Sequence, residues 1–182
     1  MNDNNKYDIV IIGAGPAGLA LAQCYSKINN NILKTSCEEF DFANPPFNPI
    51  EFSQELIKFM YDKNGIGVSA NQVGIPYRVF AMRGSPENFV CFNPRIVQPS
   101  EQQIALEEGC LTYPGLYVKI KRPQHVRVRF QTPNSDTRTE TFTGMSARVF
   151  QQQLDYLNGV LYFNRANRYH RDKGFKNRRK VA

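Results

Sequence analysis

Histidine is scarce in this sequence: 182 residues contain only His125 and His170. That shortage restricts metal chemistry more than any other count. Cysteine is sparse too. Cys24, Cys37, Cys91 and Cys110 form no CxxC pair and no framework of tight spacings, which argues against a disulfide scaffold and for a reducing cytoplasm. No apolar run reaches the ~18 residues that a membrane-spanning helix needs. The greasiest stretch, residues 9–22, is broken by Gly13, Gly15, Pro16 and Gly18, and it lacks the basic flank and cleavage site of a secretory signal. Acidic residues number 16 against 23 Lys and Arg, a formal charge of +7. The excess is confined to residues 165–180, which hold eight basic residues and one acid, Asp172. Residues 1–164 carry 15 residues of each sign, so the chain is neutral with a cationic end.

Apolar residues make up 41% of the chain, enough for a real core. The length suits one domain with a short appendage and is too small for a complete two-domain oxidoreductase. Three zones are expected. Residues 1–31 read as one strand and one helix, with a β-rich run at 7–12 and helix-like composition over 16–27. Residues 32–164 read as one α+β domain. Helices are predicted over 50–61 and 145–161 from apolar residues at helical spacing. Strands are predicted over 78–82, 89–92, 118–121, 125–130 and 138–142, separated by Pro and Gly as in a compact antiparallel sheet. Residues 165–182 read as a polar, basic tail.

Gly13-Ala14-Gly15-Pro16-Ala17-Gly18 fits GxGxxG between a strand and a helix. Glycines at Gly13, Gly15 and Gly18 permit a tight turn and close approach of a pyrophosphate. The first 28 residues resemble the opening of flavin- and nicotinamide-binding Rossmann proteins. Glu38 and Glu39 lie at roughly the distance of a ribose-binding acid, but no buried second strand precedes them. The expectation is a lone β-turn-α fragment joined to another domain, without FAD or NAD.

Three further blocks carry a more specific signal: Gly65-Ile66-Gly67-Val68-Ser69-Ala70-Asn71-Gln72-Val73-Gly74, Glu107-Glu108-Gly109-Cys110-Leu111, and Gln151-Gln152-Gln153-Leu154-Asp155-Tyr156-Leu157. Their order and spacing resemble those of peptide deformylase, from about residue 32 to at least 165. The variant with Asn71 and the basic end is similar to the small enzymes of bacteria and their phages. The resemblance implies an α+β fold of short antiparallel sheets around a central motif-bearing helix, here with an N-terminal βα appendage. It also implies hydrolysis of the formyl group of N-formylmethionyl nascent peptides by Fe²⁺ or Zn²⁺, held by one thiolate and two imidazoles. By position, Gln72 matches the oxyanion-binding glutamine, Cys110 the thiolate ligand, and Leu111 the donor of a backbone N–H. Gly65, Ile66, Gly67 and Val68 match the methionine pocket, with ordinary turn-and-strand packing as the alternative.

On the motif helix the resemblance fails. Gln152 and Tyr156 stand at the two imidazole positions, and Gln153 stands at the general base. A carboxamide is a poor ligand, a phenol with a pKa near ~10 must first lose a proton, and Gln cannot accept one near neutrality. His125, at the head of a strand, and His170, in the basic tail, read as surface residues rather than substitutes. The leading expectation is therefore a deformylase-family protein with a disabled centre. The alternatives are a non-catalytic binder of formylated nascent chains or of the ribosome, the latter through tail contacts to ribosomal RNA, and a nucleotide-binding oxidoreductase fragment.

Overall fold

A computed structural model describes residues 11–12, 21–22 and 32–181. In chain order the elements are β1 (Ile11–Ile12), β2 (Leu21–Ala22), α1 (Pro49–Asp62), β3 (Gly67–Ser69), β4 (Val79–Met82), β5 (Phe89–Pro99), β6 (Gln103–Glu108), β7 (Val118–Pro123), β8 (His125–Gln131), β9 (Thr137–Thr143), α2 (Gly144–Leu157) and α3 (Arg168–Val181). Strands β3-β4-β5-β8-β9 form one antiparallel sheet in that order, and β6 with β7 form a separate hairpin.

Helix α1 starts where the sequence provides a stop for its free amides. Asn48 Oδ1 accepts the N–H groups of Ile50 and Glu51 at 3.0 and 3.3 Å, and Pro49 occupies the first turn. Its stripe of Phe52, Leu56 and Met60 is fully buried, each side chain contributing about 1.5–3 kcal/mol. With Phe40, Phe47 and Tyr77 this stripe covers the β3-β4-β5 half of one sheet face. Helix α2 packs on the opposite face, where Ala147, Phe150, Leu154 and Leu157 meet Phe80, Met82, Val126, Val128 and Phe142. The motif-bearing helix is thus central, as expected, and two layers around it give the α+β architecture.

Several elements differ from expectation. Helix α2 ends at Leu157 rather than 161. Gly159 turns the chain with φ of +71°, and a Cβ there would lie 2.7 Å from the Lys34 carbonyl oxygen, so only glycine permits the exit. Strand β5 runs through Asn93-Pro94 to Pro99, because Asn93 (φ +47°) bulges the strand without ending it. Strand β6 is an addition to the expected set: all but its last residue are exposed, so it lacks period-2 burial and is held by pairing with β7. Leu21–Ala22, expected within a helix, is extended and pairs antiparallel with Ile11–Ile12. Gly13, Gly15, Gly18 and Cys24 lie outside the described residues.

The basic C-terminal segment contains a docked helix. Gly174 of α3 is buried, and a Cβ there would sit 2.7 Å from the Tyr117 carbonyl oxygen. Phe175 packs against Phe163 at 5.3 Å between ring centroids. That contact joins α3 to a third cluster containing Leu33, Leu116, Val118, Ile120, Tyr156 and Tyr162. Among the described residues, no helix is long and apolar enough to cross a membrane.

Candidate active site

The three sequence blocks converge on one cavity of about 490 Å³. Gly65, Ile66 and Gly67 form one wall, Glu107 to Leu111 another, and Val149, Gln152 and Gln153 of α2 a third; Tyr117 and Met145 also line it. Gly67 is needed for this approach: a Cβ there would lie 2.6 Å from Val149 Cγ1 and 3.1 Å from Gln153 Nε2. Ile66, Leu111, Tyr117 and Met145 are all exposed at this cavity, which gives it an apolar rim.

Val68 corrects the expected pocket. It is fully buried in the cluster between the sheet and α1, because side chains alternate along β3 and only the glycine position faces the cavity. Gln72 stands behind the lining residues in a single 3₁₀ turn, Ala70–Val73. Its Oε1 accepts the Ser69 N–H at 3.0 Å, and its Nε2 donates to Thr112 Oγ1 at 2.9 Å. Its amide is thereby aimed at the Cys110–Thr112 segment. Asn71 ties the same turn to the helix, its Nδ2 donating to the Tyr156 carbonyl oxygen at 2.7 Å.

Cys110 and Gln152 line the cavity, and Tyr156 lies beneath it against the Cys110 sulfur. Cys110 Sγ accepts the Tyr113 N–H at 3.3 Å. Burial pushes this thiol up, an effect partly offset by the polar hydroxyl of Tyr156 nearby and by the Tyr113 and Thr112 donors. The fully buried Tyr156 hydroxyl lies beside the sulfur but outside regular hydrogen-bond geometry and has no partner. Burial first, and then the Cys110 sulfur, hold the phenol well above its ordinary value. Gln153 Oε1 is likewise buried without a partner. Gln152 Nε2 donates to Glu108 Oε2 at 3.0 Å and to the Gly109 carbonyl at 3.2 Å.

Glu108 has no role predicted from the sequence, yet it anchors the floor of the site. Arg122 donates to both its oxygens, from Nε at 2.6 Å and from the guanidinium tip at 3.0 Å. Arg148 adds a bond at 2.7 Å and also donates to the carbonyls of Ile120 and Ile104. The other tip of Arg122 reaches Asp155 at 2.7 Å, and Asp155 also takes Arg165 at 2.6 Å. A charged residue beside the cysteine, with arginines 14 and 40 positions away, has no periodic signature that could have revealed this network. His125 is exposed and His170 sits on α3, and neither belongs to the residues that line the cavity. Among the described residues, no three His, Cys, Asp or Glu side chains are grouped to hold a metal ion.

Comparison with known proteins is consistent with this geometry. Residues 25–172 match the polypeptide deformylase family. A peptide deformylase of Wolbachia pipientis is 33% identical over 144 residues, covering 72% of this chain and 80% of that protein. One from Thermotoga neapolitana is 39% identical over 112 residues, 62% of this chain and 68% of its own length. Among solved structures, a Plasmodium falciparum peptide deformylase superposes with a TM-score of 0.76 at 28% identity, covering 85% of this chain and 92% of that one. The Thermotoga maritima peptide deformylase gives 0.70 at 32% identity, covering 75% and 91%.

Proposed function

The chain belongs to the peptide deformylase family, and we propose that it is a member that keeps the peptide pocket but has lost metal-dependent hydrolysis of the N-formyl group. The family's reaction is the removal of formyl from N-formylmethionyl nascent peptides, with the metal polarising the carbonyl and activating water. The observation that carries our reading is the donor set at the three ligand positions: one thiol, one carboxamide and one phenol. Gln152 already spends its Nε2 on Glu108 and Gly109. The Tyr156 ring is enclosed by the core, and its phenol resists ionisation. These groups do not fit a three-ligand Fe²⁺ or Zn²⁺ site, and Gln153 offers no base.

What this chain's residues are suited to do is bind. The apolar rim of Ile66, Leu111 and Met145 suits a methionine side chain. An uncharged formamide is a group that a hydrolytically idle site would hold intact. In this reading the protein engages N-formylmethionyl peptides in the cytoplasm. The exposed cations of α3 (Arg168, Lys173, Lys176 and Arg179) are the part that would contact ribosomal RNA.

The test pairs metal analysis with hydrolysis and calorimetric binding of a formyl-Met tripeptide, on this chain and on Gln152→His/Gln153→Glu/Tyr156→His. We expect the unaltered chain to bind the peptide without turnover. The triple variant should acquire metal and turnover, because Glu108 stands ready to orient an imidazole at position 152 through its second nitrogen. Metal-dependent turnover by the unaltered chain would overturn the reading.

A further inference from the structure

Among the described residues, half of one face of the sheet is uncovered. Helix α1 and the aromatic residues around Phe40 and Phe47 bury the β3-β4-β5 half, and no residue of β8 or β9 belongs to that cluster. On the uncovered half, Arg127 and Arg129 of β8 and Arg95 of β5 are all exposed. Pairing places Arg129 directly between Arg95 and Thr139, and Arg127 between Gln98 and Thr141. Every cross-strand neighbour of these guanidinium groups is therefore another cation or a neutral residue. Cross-strand partners stand about 5 Å apart at Cβ, where like charges repel and a carboxylate would be the usual complement.

Acids are absent from this face by sequence as well as by packing. Strands β5 and β8 contain none. The only one in β9, Glu140, is opposite the buried Val128 and so belongs to the face that meets α2. Among the described residues, none of Arg95, Arg127 or Arg129 takes part in an ion pair. The neutrality of residues 1–164 thus hides a local separation of charge. Glu108 and Asp155 lie in the buried network with arginines of their own, while Arg95, Arg127 and Arg129 stand on an open surface with no acid opposite them.

We propose that this face is a second contact surface, distinct from the cavity and from α3, and that it takes the phosphate backbone of a nucleic acid. Arginine forks suit phosphate oxygens, and threonine hydroxyls alongside can donate to the same groups. The one ring on the arginine-bearing side of β8 is the exposed His125 at the end of the strand, so the three arginines recognise the backbone, independent of sequence.

The experiment measures anisotropy of a fluorescein-labelled 20-base-pair duplex with the full-length protein across a salt series. Arg95→Gln/Arg127→Gln/Arg129→Gln should flatten the plot of log affinity against log salt by roughly 3 units, about one for each phosphate that an arginine neutralises. Thr139→Glu/Thr141→Glu keeps all three arginines but gives two of them carboxylate neighbours. It should keep or raise the melting temperature and still lower affinity at least tenfold. The salt-slope change in the arginine variant should persist on a background of Lys173→Gln/Lys176→Gln/Arg179→Gln, which separates this surface from α3. No binding by the unaltered protein at 50 mM salt, or an unchanged slope in either sheet variant, would overturn the proposal. So would a dependence on these residues seen only with vesicles of anionic phospholipid.

Discussion

Replacing Glu108 by Gln is the most direct probe of how this site is held together. The carboxylate is almost fully buried, with 3% of its side chain exposed, and it faces Arg122 and Arg148, exposed at only 6% and 5%. It accepts two bonds from Arg122, one from Arg148 and one from Gln152. The native cluster balances Arg122, Arg148 and the half-exposed Arg165 against Glu108 and Asp155. Without Glu108, the desolvated Arg148 is left with no carboxylate, and Arg122 keeps only Asp155, which Arg165 already engages. Removing one partner of a buried ion pair costs about 3–5 kcal/mol, because the remaining charge stays buried. At about 2–4 °C per kcal/mol for a chain of this size, the melting temperature should fall by roughly 6–20 °C. The adjacent Glu107 is exposed, so Glu107→Gln should stay within about 0.5 kcal/mol. Urea unfolding of both variants beside the unaltered protein decides the matter. A destabilisation below about 1 kcal/mol for Glu108→Gln would refute the view that this network organises the cavity floor.

Three further outcomes follow from the geometry. Tyr156→Phe removes a buried hydroxyl that has no partner, so stability should hold or rise by about 1 kcal/mol. A decrease of that size in thermal unfolding would instead show that the hydroxyl is bonded to Cys110. Gly67→Ala should cost about 1–3 kcal/mol, since its methyl would press into Val149 at 2.6 Å, and it should also weaken formyl-peptide binding in calorimetry; normal stability would mean that α2 shifts freely. Alkaline pH should destabilise the fold. Burial pushes the Cys37 thiol up from about 9 to about 11 despite the nearby Arg78, and burial moves Cys91 the same way. The unfolded chain then loses these protons first, so stability is intact below about pH 9 and declines as pH rises towards 11. Denaturant titrations from pH 8 to 10.5 should show that decline, and Cys37→Ala should make it shallower; a flat profile would contradict the sign.

The features legible in the sequence were local and patterned. Apolar spacing marked the buried faces of α1 and α2, and apolar runs separated by Pro and Gly marked β4, β7, β8 and β9. Three motif blocks in family order marked the segments that form the cavity walls. These signals survive in one dimension because periodicity and motif order depend on neighbours a few residues apart. Other features depended on distant partners. Strand β6 exists because β7 pairs with it, and Val68 leaves the pocket because β3 alternates against α1. Glycine at 159 is dictated by a carbonyl from Lys34, and the basic end folds onto Tyr117 and Phe163. Net charge behaved in the same way. The sequence located the cationic end, but only tertiary structure could bury Glu108 and Asp155 beneath the cavity and leave Arg95, Arg127 and Arg129 without an acid beside them. Charge balance is a sum over residues, whereas the field at a surface depends on which of those residues the fold places side by side.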